Sequence, residues 1–200
     1  MTISAAVAFL EKAFDVLNKE YFENTLSKPL ITIQSTPGTY GHYTKYDAWK
    51  SCKTDKGYRE INLGAETLDR PTANVIATLV HEMVHMYCDM NGIKDTSRGG
   101  TYHNSRFKEE AEKRGLSIEY DKKIGWSITQ PTKALRSLCA REHWNGKLTV
   151  HRAWTPKDPK DPKPSSTRKY TCPCCGNSVR ATKAVNIICA DCQEVMQTPA

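Results

Sequence analysis

The chain has 200 residues, 38% of them apolar, which is enough for one domain with a buried core and a small second module. Its net charge of +7 is carried by residues 131–200, which hold 12 Lys and Arg against 5 Asp and Glu, whereas residues 1–130 hold 17 of each. No stretch approaches the roughly 20 apolar residues of a membrane span, so we expect a soluble globular protein. The basic C-terminal third favours binding to the phosphate backbone of a nucleic acid. The alternative is that its lysines only keep the chain soluble.

The first 22 residues, MTISAAVAFLEKAFDVLNKEYF, predict an amphipathic helix. Apolar residues recur at helical spacing over about five turns, at Val7, Leu10, Phe14, Leu17 and Tyr21. The segment lacks the basic start of a signal peptide and has acidic residues within its apolar pattern. We therefore expect a cytoplasmic protein, in which clustered cysteines bind metal and do not form disulfides.

The next hundred residues predict strands followed by two helices. The strands are LITIQS, the run from Tyr40 to Trp49, and YREINL. Residues 73–90 predict a long helix ending before Gly92, and HNSRFKEEAEKRGL a shorter one beginning at Asn104. SIEYDKKIGWSITQPT then predicts one or two short strands, whereas KALRSLCAREHWNGKLTVHRAW is ambiguous. This order predicts an α+β fold.

The helix at 73–90 contains the sequence HEMVH, residues 81–85. Apolar residues cover much of its circumference, so it should be buried, and burying an ionised carboxylate requires a compensating charge. His81 and His85 are four residues apart, lie on one face, and can converge on one metal ion, while Glu82 leans over the site as a base. Zinc would acidify water and polarise a carbonyl there. The alternative is a buried helix whose histidines merely find hydrogen-bond partners.

A catalytic zinc site needs a third protein ligand. Candidates are His103, His42, Asp89 and the glutamates at 109, 110 and 112. We favour His103, because it follows a Gly-rich loop long enough to reverse the chain. Asp89, one turn beyond His85, could instead orient a ligand or simply be solvated. His42 is expected either at the surface or next to a metal ligand that it helps to orient. Candidates for stabilising an oxyanion are Tyr40, Tyr43 and Tyr102.

Five of the eight cysteines cluster near the C-terminus. CPCC and, thirteen residues later, CADC form two CxxC pairs, which predict a structural zinc site. Its four ligands would be Cys172, Cys175, Cys189 and Cys192. Gly176 supplies the backbone freedom that the first knuckle needs. Cys174 is expected to be a spare thiol, with replacement of Cys175 by Cys174 and a CxxC redox role as the alternatives.

Basic residues surround one tyrosine in and before this cysteine module: Arg168, Lys169, Tyr170, Arg180 and Lys183. Such side chains can hold phosphates while the tyrosine stacks on a base, which suits single-stranded nucleic acid. The alternative is a solvated surface with Tyr170 packed on the knuckle. The preceding TPKDPKDPKPSSTRK is rich in proline and charge and predicts an extended linker.

These motifs together resemble the SprT-like family of zinc metallopeptidases, to which Spartan belongs. HEMVH is followed by GGTYHNSRF, in which the histidine precedes a phenylalanine by four residues, and a C-terminal four-cysteine zinc ribbon fits the family layout. The resemblance covers roughly residues 5–130 and 170–195. It implies a small zincin-like fold, zinc ligands at His81, His85 and His103, and Glu82 as the catalytic glutamate. Family members include DNA-dependent proteases that degrade proteins crosslinked to DNA.

The predicted architecture is thus α+β: a zincin-like domain of helices and a short mixed sheet at 1–154, a linker at 155–169 and a zinc ribbon at 170–200. The expected function is that of a zinc metalloendopeptidase with one catalytic and one structural Zn²⁺, acting on DNA-associated or DNA-crosslinked proteins. DNA, preferably single-stranded, is an expected partner. Two alternatives are a nucleic-acid-binding or regulatory zinc protein with little proteolysis, and a metal-dependent hydrolase of non-peptide substrates.

Overall fold

A computed structural model of the chain describes residues 1–153 and 167–198 and divides the chain into two compact units, Met1–Trp154 and Thr155–Ala200. The N-terminal unit is mixed α+β. Its described helices are α1 (Ile3–Phe22), α2 (Thr72–Met90), α3 (Ser105–Glu112) and α4 (Lys133–Arg141). Its strands are β1 (Leu30–Gln34), β2 (Gly41–Tyr43), β3 (Trp49–Lys50), β4 (Gly57–Tyr58), β5 (Glu60–Gly64), β6 (Thr96–Ser97), β7 (Tyr102–His103), β8 (Leu116–Asp121) and β9 (Gly125–Pro131).

Helix α2 is the central element of this unit. Fourteen of its 19 residues are buried, because it packs against α1, α3 and α4 and against strands β2, β5, β8 and β9 of two different sheets. It ends where Gly92 adopts φ +66° and the Ile93 amide donates to the Cys88 carbonyl at 2.8 Å, as expected of a helix closed by glycine. Within the described ranges, no helix has the length and apolar character needed to cross a bilayer.

Two small sheets flank α2. The first has the order β1-β5-β2, with β1 parallel and β2 antiparallel to β5, and the second has the order β6-β7-β9-β8. The predicted single strand from Tyr40 to Trp49 was wrong, because it is two short strands, β2 and β3. The Thr44 amide makes a bond to the Glu60 carbonyl just beyond β2, and the following KYDA is exposed and has no apolar face to bury against a neighbour.

The ambiguous segment after residue 131 begins with helix α4. The Thr132 side chain caps it by accepting the Leu135 amide at 3.3 Å. One face of the helix is buried, through Leu135, Leu138 and Cys139. Because the helix has only nine residues and the rest of its surface is polar, the segment as a whole shows no clear helical periodicity of apolar residues.

The C-terminal unit consists of two short hairpins. Strand β10 (Arg168–Thr171) pairs with β11 (Ser178–Ala181), and β12 (Ile188–Cys189) pairs with β13 (Glu194–Val195). Its small core contains Tyr170, Cys172, Cys189 and Met196. Residues 155–166 of the predicted linker lie outside the described residues, and the last two residues of that prediction begin β10.

Candidate active site and metal centres

Three histidine side chains converge beside α2. His81 and His85 lie one turn apart on that helix, and His103 is supplied by β7. Their Nε2 atoms are 3.2 Å (81 to 103), 3.2 Å (81 to 85) and 3.0 Å (85 to 103) apart. Nitrogens about 2.0 Å from one tetrahedral zinc ion would be about 3.3 Å from each other. The three Nε2 atoms therefore form a triangle spaced nearly as three ligands of one tetrahedral zinc ion would be.

The opposite nitrogen of each ring has an oxygen acceptor. The three pairs are His81 Nδ1 with Thr129 Oγ1 at 2.7 Å, His85 Nδ1 with Asp95 Oδ2 at 2.5 Å, and His103 Nδ1 with the Ile124 carbonyl at 3.4 Å. Because Thr129 already donates its hydroxyl hydrogen to the Ser127 carbonyl, it accepts from His81. Each Nδ1 therefore carries the hydrogen, and each Nε2 lone pair is free to bind a metal at the centre.

Burial favours the neutral form of two of these imidazoles, His81 and His103. It lowers the pKa of His81 well below its usual value, with His85 and His103 adding to the effect. It also lowers the pKa of His103 to about 4, with His85 as the next contributor. Phe107 of α3, fully buried, lies against all three rings with centroids 4.5 to 4.7 Å away. Neutral rings fixed on an apolar floor are suited to metal binding, since a metal competes with protons for the same nitrogens.

Glu82 is buried next to this triangle, 5% exposed. Burial raises its pKa to about 7, although His85 and the backbone N–H of Tyr43 oppose that shift. A Cβ atom added at Gly41 would lie 3.3 Å from Glu82 Oε1 and 2.8 Å from the Asn62 carbonyl. The glycine therefore allows β2 to approach the carboxylate more closely than any side chain would.

Strand β2 is the outer strand of its sheet. Tyr40 and Thr44, on either side of it, bond to β5 through the Gly64 amide and the Glu60 carbonyl. Because bonding direction alternates along an antiparallel strand, Gly41 and Tyr43 direct their N–H and C=O groups away from β5. The Tyr43 N–H is directed at the Glu82 carboxylate. Within the described residues, the Gly41 N–H and C=O and the Tyr43 C=O are therefore the outward groups that can pair with an extended peptide.

The other predicted ligand candidates lie outside the three-histidine group. Asp89 accepts from Arg59 at 2.6 Å and from the Tyr43 hydroxyl at 2.9 Å. His42 is exposed on β2, and Glu110 of α3 pairs with Arg114 at 2.6 Å. The remaining positions, all on α3, are Glu109 and Glu112.

The predicted oxyanion candidates have other partners. Tyr43 bonds to Asp89 and accepts from Arg59 at 2.8 Å, and burial and Asp89 raise its pKa. The Tyr102 hydroxyl lies 3.1 Å from that of Tyr120, and the Tyr40 ring lies against the Arg70 guanidinium.

Two side chains that the sequence motifs did not indicate, Asp95 and Thr129, orient His85 and His81. In the sequence, Asp95 is distinguished only by lying near the third histidine and Thr129 only by lying near a strand end. Other polar residues have such positions too, so the sequence does not identify these two.

The four predicted cysteines form a second group. The Sγ atoms of Cys172, Cys175, Cys189 and Cys192 lie within 4.8 Å of one another. The Cys175 and Cys189 sulfurs are 3.7 Å apart, and sulfurs 2.3 Å from one tetrahedral zinc would be about 3.8 Å apart. Backbone N–H groups of Cys175 and Cys174 lower the pKa of Cys172 to about 7, although burial opposes them. The donor set and its spacing fit a structural zinc ion, with exposed Cys174 outside the group.

The C-terminal unit exposes most of the predicted nucleic-acid residues. Arg168, Lys169, Arg180 and Lys183 are exposed. Tyr170 is not: it is 7% exposed and its hydroxyl accepts the Val185 amide at 3.2 Å. The predicted stacking role for Tyr170 was therefore wrong, because its ring belongs to the small core. Lys169 and Arg180 are direct cross-strand partners, a like-charge pair that an antiparallel sheet does not favour unless an anion binds there.

A row of cations and aromatic rings covers part of the N-terminal unit, and we call it the aromatic–cation row. Arg98 lies 4.4 Å from the Tyr102 ring centre, and Lys108 lies 4.1 Å from that of Trp126. Tyr120, 49% exposed, joins them through its bond to Tyr102 and a centroid distance of 5.1 Å to Trp126. Tyr102 is adjacent to His103 in the chain, so the row begins beside the metal triangle. The row is not apparent in the sequence, because its members come from the turn before β7 and from β7, β8, β9 and α3.

The sequence model of the SprT-like family matches residues 10–122, more than half of the chain, and this range includes all three histidines and Glu82. Among curated proteins and solved structures, no match to the chain was found.

Proposed function

Because the chain belongs to the SprT-like family, we propose that it is a zinc-dependent metalloendopeptidase, with His81, His85 and His103 as the zinc ligands and Glu82 as the catalytic base. The family suggests a metallopeptidase-like domain, and the three histidines form a possible metal site. The observation that carries the proposal is the approach of three Nε2 atoms to within 3.2 Å of one another, next to a buried glutamate.

A zinc ion held by these imidazoles would supply Lewis acidity toward water and toward a peptide carbonyl. Glu82 would accept a proton from the water molecule as the water oxygen bonds to the carbonyl carbon. It would then donate that proton to the nitrogen as the C–N bond breaks. Burial supports this role, because it raises the pKa of the Glu82 carboxyl group and so makes the carboxylate a stronger base than an exposed glutamate.

The free edge of β2 supports a peptide substrate in particular. The outward N–H and C=O groups of Gly41 and the C=O of Tyr43 would pair with an extended chain and hold it next to Glu82. Binding through the backbone is largely independent of side chains, which suits an endopeptidase that acts within unfolded or extended segments. A small non-peptide substrate would leave these groups unpaired.

We further propose that the substrates are proteins associated with single-stranded DNA. Two features support this: the opposed basic residues Lys169 and Arg180, and the aromatic–cation row. In the row, the exposed Tyr120 ring could stack on an unpaired base, while Arg98 and Lys108, held against the half-buried rings of Tyr102 and Trp126, could neutralise phosphates without selecting a sequence. Single strands are favoured because paired bases do not expose their faces.

The test of the peptidase proposal is cleavage of a DNA-binding protein by the zinc-loaded wild type and by Glu82→Gln, each with and without single-stranded DNA. We expect cleavage by the wild type and a loss of roughly 1,000-fold or more in Glu82→Gln, because the proton relay is removed. Equal zinc content in both proteins controls for loss of the site. Zinc binding without cleavage of any protein would favour a regulatory or non-peptide hydrolase role instead.

The DNA proposal has its own variants. Tyr120→Ala should weaken binding of a fluorescent oligothymidine by roughly 10-fold, the loss of one stacked base. The control is Tyr46→Ala, since Tyr46 is 70% exposed and lies outside the row. Lys169→Ala with Arg180→Ala should weaken binding and flatten its dependence on salt. Unchanged affinity in both sets of variants would contradict a DNA contact at these surfaces.

A further inference from the structure

Arg70 has a partly buried guanidinium group at one end of β2. Its Nε donates to the Thr67 carbonyl at 2.8 Å, and its Nη2 donates to Thr78 Oγ1 at 3.1 Å. Its Cζ lies 4.0 Å from the centre of the Tyr40 ring. Three contacts therefore hold the guanidinium in one orientation, while three of its five N–H donors have no partner in these contacts.

This guanidinium lacks a carboxylate partner. Within the described residues no acidic oxygen lies within 4.0 Å of it, and its chain neighbour Asp69 is exposed. By contrast, the buried Arg114 and the partly exposed Arg59 each have a carboxylate at 2.6 Å. Burial accordingly lowers the pKa of Arg70, and Tyr40 and Asp69 offset this only in part. A cation withdrawn from water without a counter-ion is destabilising, unless an anion is bound to it during function.

The position of Arg70 connects it to the reaction centre. Thr78, which accepts its hydrogen bond, lies one helical turn before Glu82 on α2. A Cβ atom at Gly41 would meet Thr78 Cγ2 at 3.2 Å and Glu82 Oε1 at 3.3 Å, so these two side chains flank the same point of β2. Tyr40, which lies against the guanidinium, directly precedes Gly41. The cation therefore lies at the end of the strand edge that faces the catalytic glutamate.

We propose that Arg70 binds the carboxylate of an Asp or Glu side chain of the substrate and so gives the enzyme a preference for an acidic residue close to the scissile bond. The inference rests on the proposed peptidase function and names the substrate class of that site. The two Nη groups can grip a carboxylate with two parallel hydrogen bonds, and the Tyr40 ring keeps the guanidinium plane in position. A substrate carboxylate supplies the counter-ion that the folded chain does not.

The test uses pairs of peptides that differ only by Glu or Gln at one position, scanned over four positions on each side of the cleaved bond. At one position we expect the wild type to have a kcat/KM at least roughly 10-fold higher for Glu, the value of a charge-assisted hydrogen bond. Arg70→Gln should reduce this ratio to about one by slowing cleavage of the Glu peptide alone. Arg70→Lys keeps the charge but loses the paired hydrogen bonds, so it should retain part of the preference. The control is Arg136→Gln, an exposed arginine on α4.

A binding measurement separates this inference from the peptidase proposal. In the Glu82→Gln background, the labelled Glu peptide should bind at least roughly 10-fold more weakly when Arg70→Gln is added, whether or not the wild type cleaves any peptide. Equal binding or cleavage of Glu and Gln peptides by the wild type at every position would overturn the inference. So would an equal loss for both peptides in Arg70→Gln, or a loss only of DNA stimulation, which would indicate a phosphate contact.

Discussion

Asp95 Oδ2 lies 2.5 Å from His85 Nδ1, and the carboxylate is almost completely buried, 1% exposed. Its other oxygen is 3.5 Å from Lys45 Nζ. The bond orients the imidazole so that its Nε2 atom points at the other two histidines. Lys45 and His85 are thus neighbours of this buried carboxylate, and a zinc ion on the far side of the ring would stabilise it further.

Asp95→Asn should therefore weaken zinc binding by roughly 10- to 100-fold, the usual range for a residue that orients a metal ligand. The amide keeps an acceptor but removes the negative charge. Competition with a chromophoric chelator, in a variant whose C-terminal cysteines are replaced, measures the affinity of this site alone. Asp89→Asn is the matched control, because Asp89 bonds to Arg59 and Tyr43 and should leave the affinity unchanged. A larger loss in Asp89→Asn than in Asp95→Asn would reverse our assignment.

Gly125→Ala should displace His103. Gly125 pairs with His103 between β9 and β7, has φ +75°, and a Cβ atom there would lie 2.1 Å from the His103 carbonyl oxygen. Because that neighbour is backbone, the strand itself must move. We expect zinc affinity to fall by roughly 10-fold or more, as when a ligand loses its orientation.

Gly146→Ala is the control for the effect of backbone strain alone. Gly146 has φ +71°, but nothing lies within 4 Å of its added Cβ. It should lower the free energy of unfolding by about 1 kcal/mol, the penalty for a left-handed alanine, and leave zinc affinity intact. Equal effects of the two variants on zinc affinity would mean that the strand pairing does not position His103.

The sequence pattern was sufficient for the part of the site that lies on one helix. His81 and His85 share a face of α2 because their spacing matches the helical repeat, which needs no tertiary information. Asp89 extends that face by one more turn and was a reasonable partner for His85 on spacing alone. The structure instead pairs it with Arg59, 30 residues away, and gives the orienting role to Asp95 in the loop. Loop conformation is set by packing that a single sequence does not reveal.

Tyr170 shows a second reason why a prediction from the sequence failed. Its neighbours Lys169 and Arg180 predicted an exposed basic surface, and they are exposed. In a strand, however, alternate side chains point to opposite faces, so an outward Lys169 directs Tyr170 into the core. Recognising β10 as a strand would have predicted this, but it is only four residues long. Conversely, the aromatic–cation row depends on the pairing of β8 with β9 and was outside the reach of local patterns.

Arg114→Gln should destabilise the N-terminal unit by about 3 kcal/mol. Arg114 is buried, bonds to the carboxylate of Glu110 at 2.6 Å and lies 3.9 Å from the Tyr87 ring centre. Removing the cation leaves Glu110 Oε2 without its partner, while Lys113 still bonds to Oε1 at 2.6 Å, and it also removes the contact with the Tyr87 ring. Urea unfolding followed by tryptophan fluorescence measures the change. Arg141→Gln removes an exposed pair with Glu20 and should cost less than about 1 kcal/mol. A similar loss in both variants would mean that the Arg114 pair contributes no more than a surface contact.

Cys174→Ser and Cys175→Ser distinguish the spare thiol from the ligand. Cys175 Sγ belongs to the four-sulfur group, 3.7 Å from that of Cys189, whereas Cys174 is exposed and outside the group. After dialysis against a mild chelator, we expect two zinc ions per chain in the wild type and in Cys174→Ser, but one in Cys175→Ser, because three thiolates do not close a structural site. Elemental analysis counts the ions. The reverse pattern would mean that the knuckle closes through Cys174, and an unchanged count in both variants would mean that either thiol can complete the site.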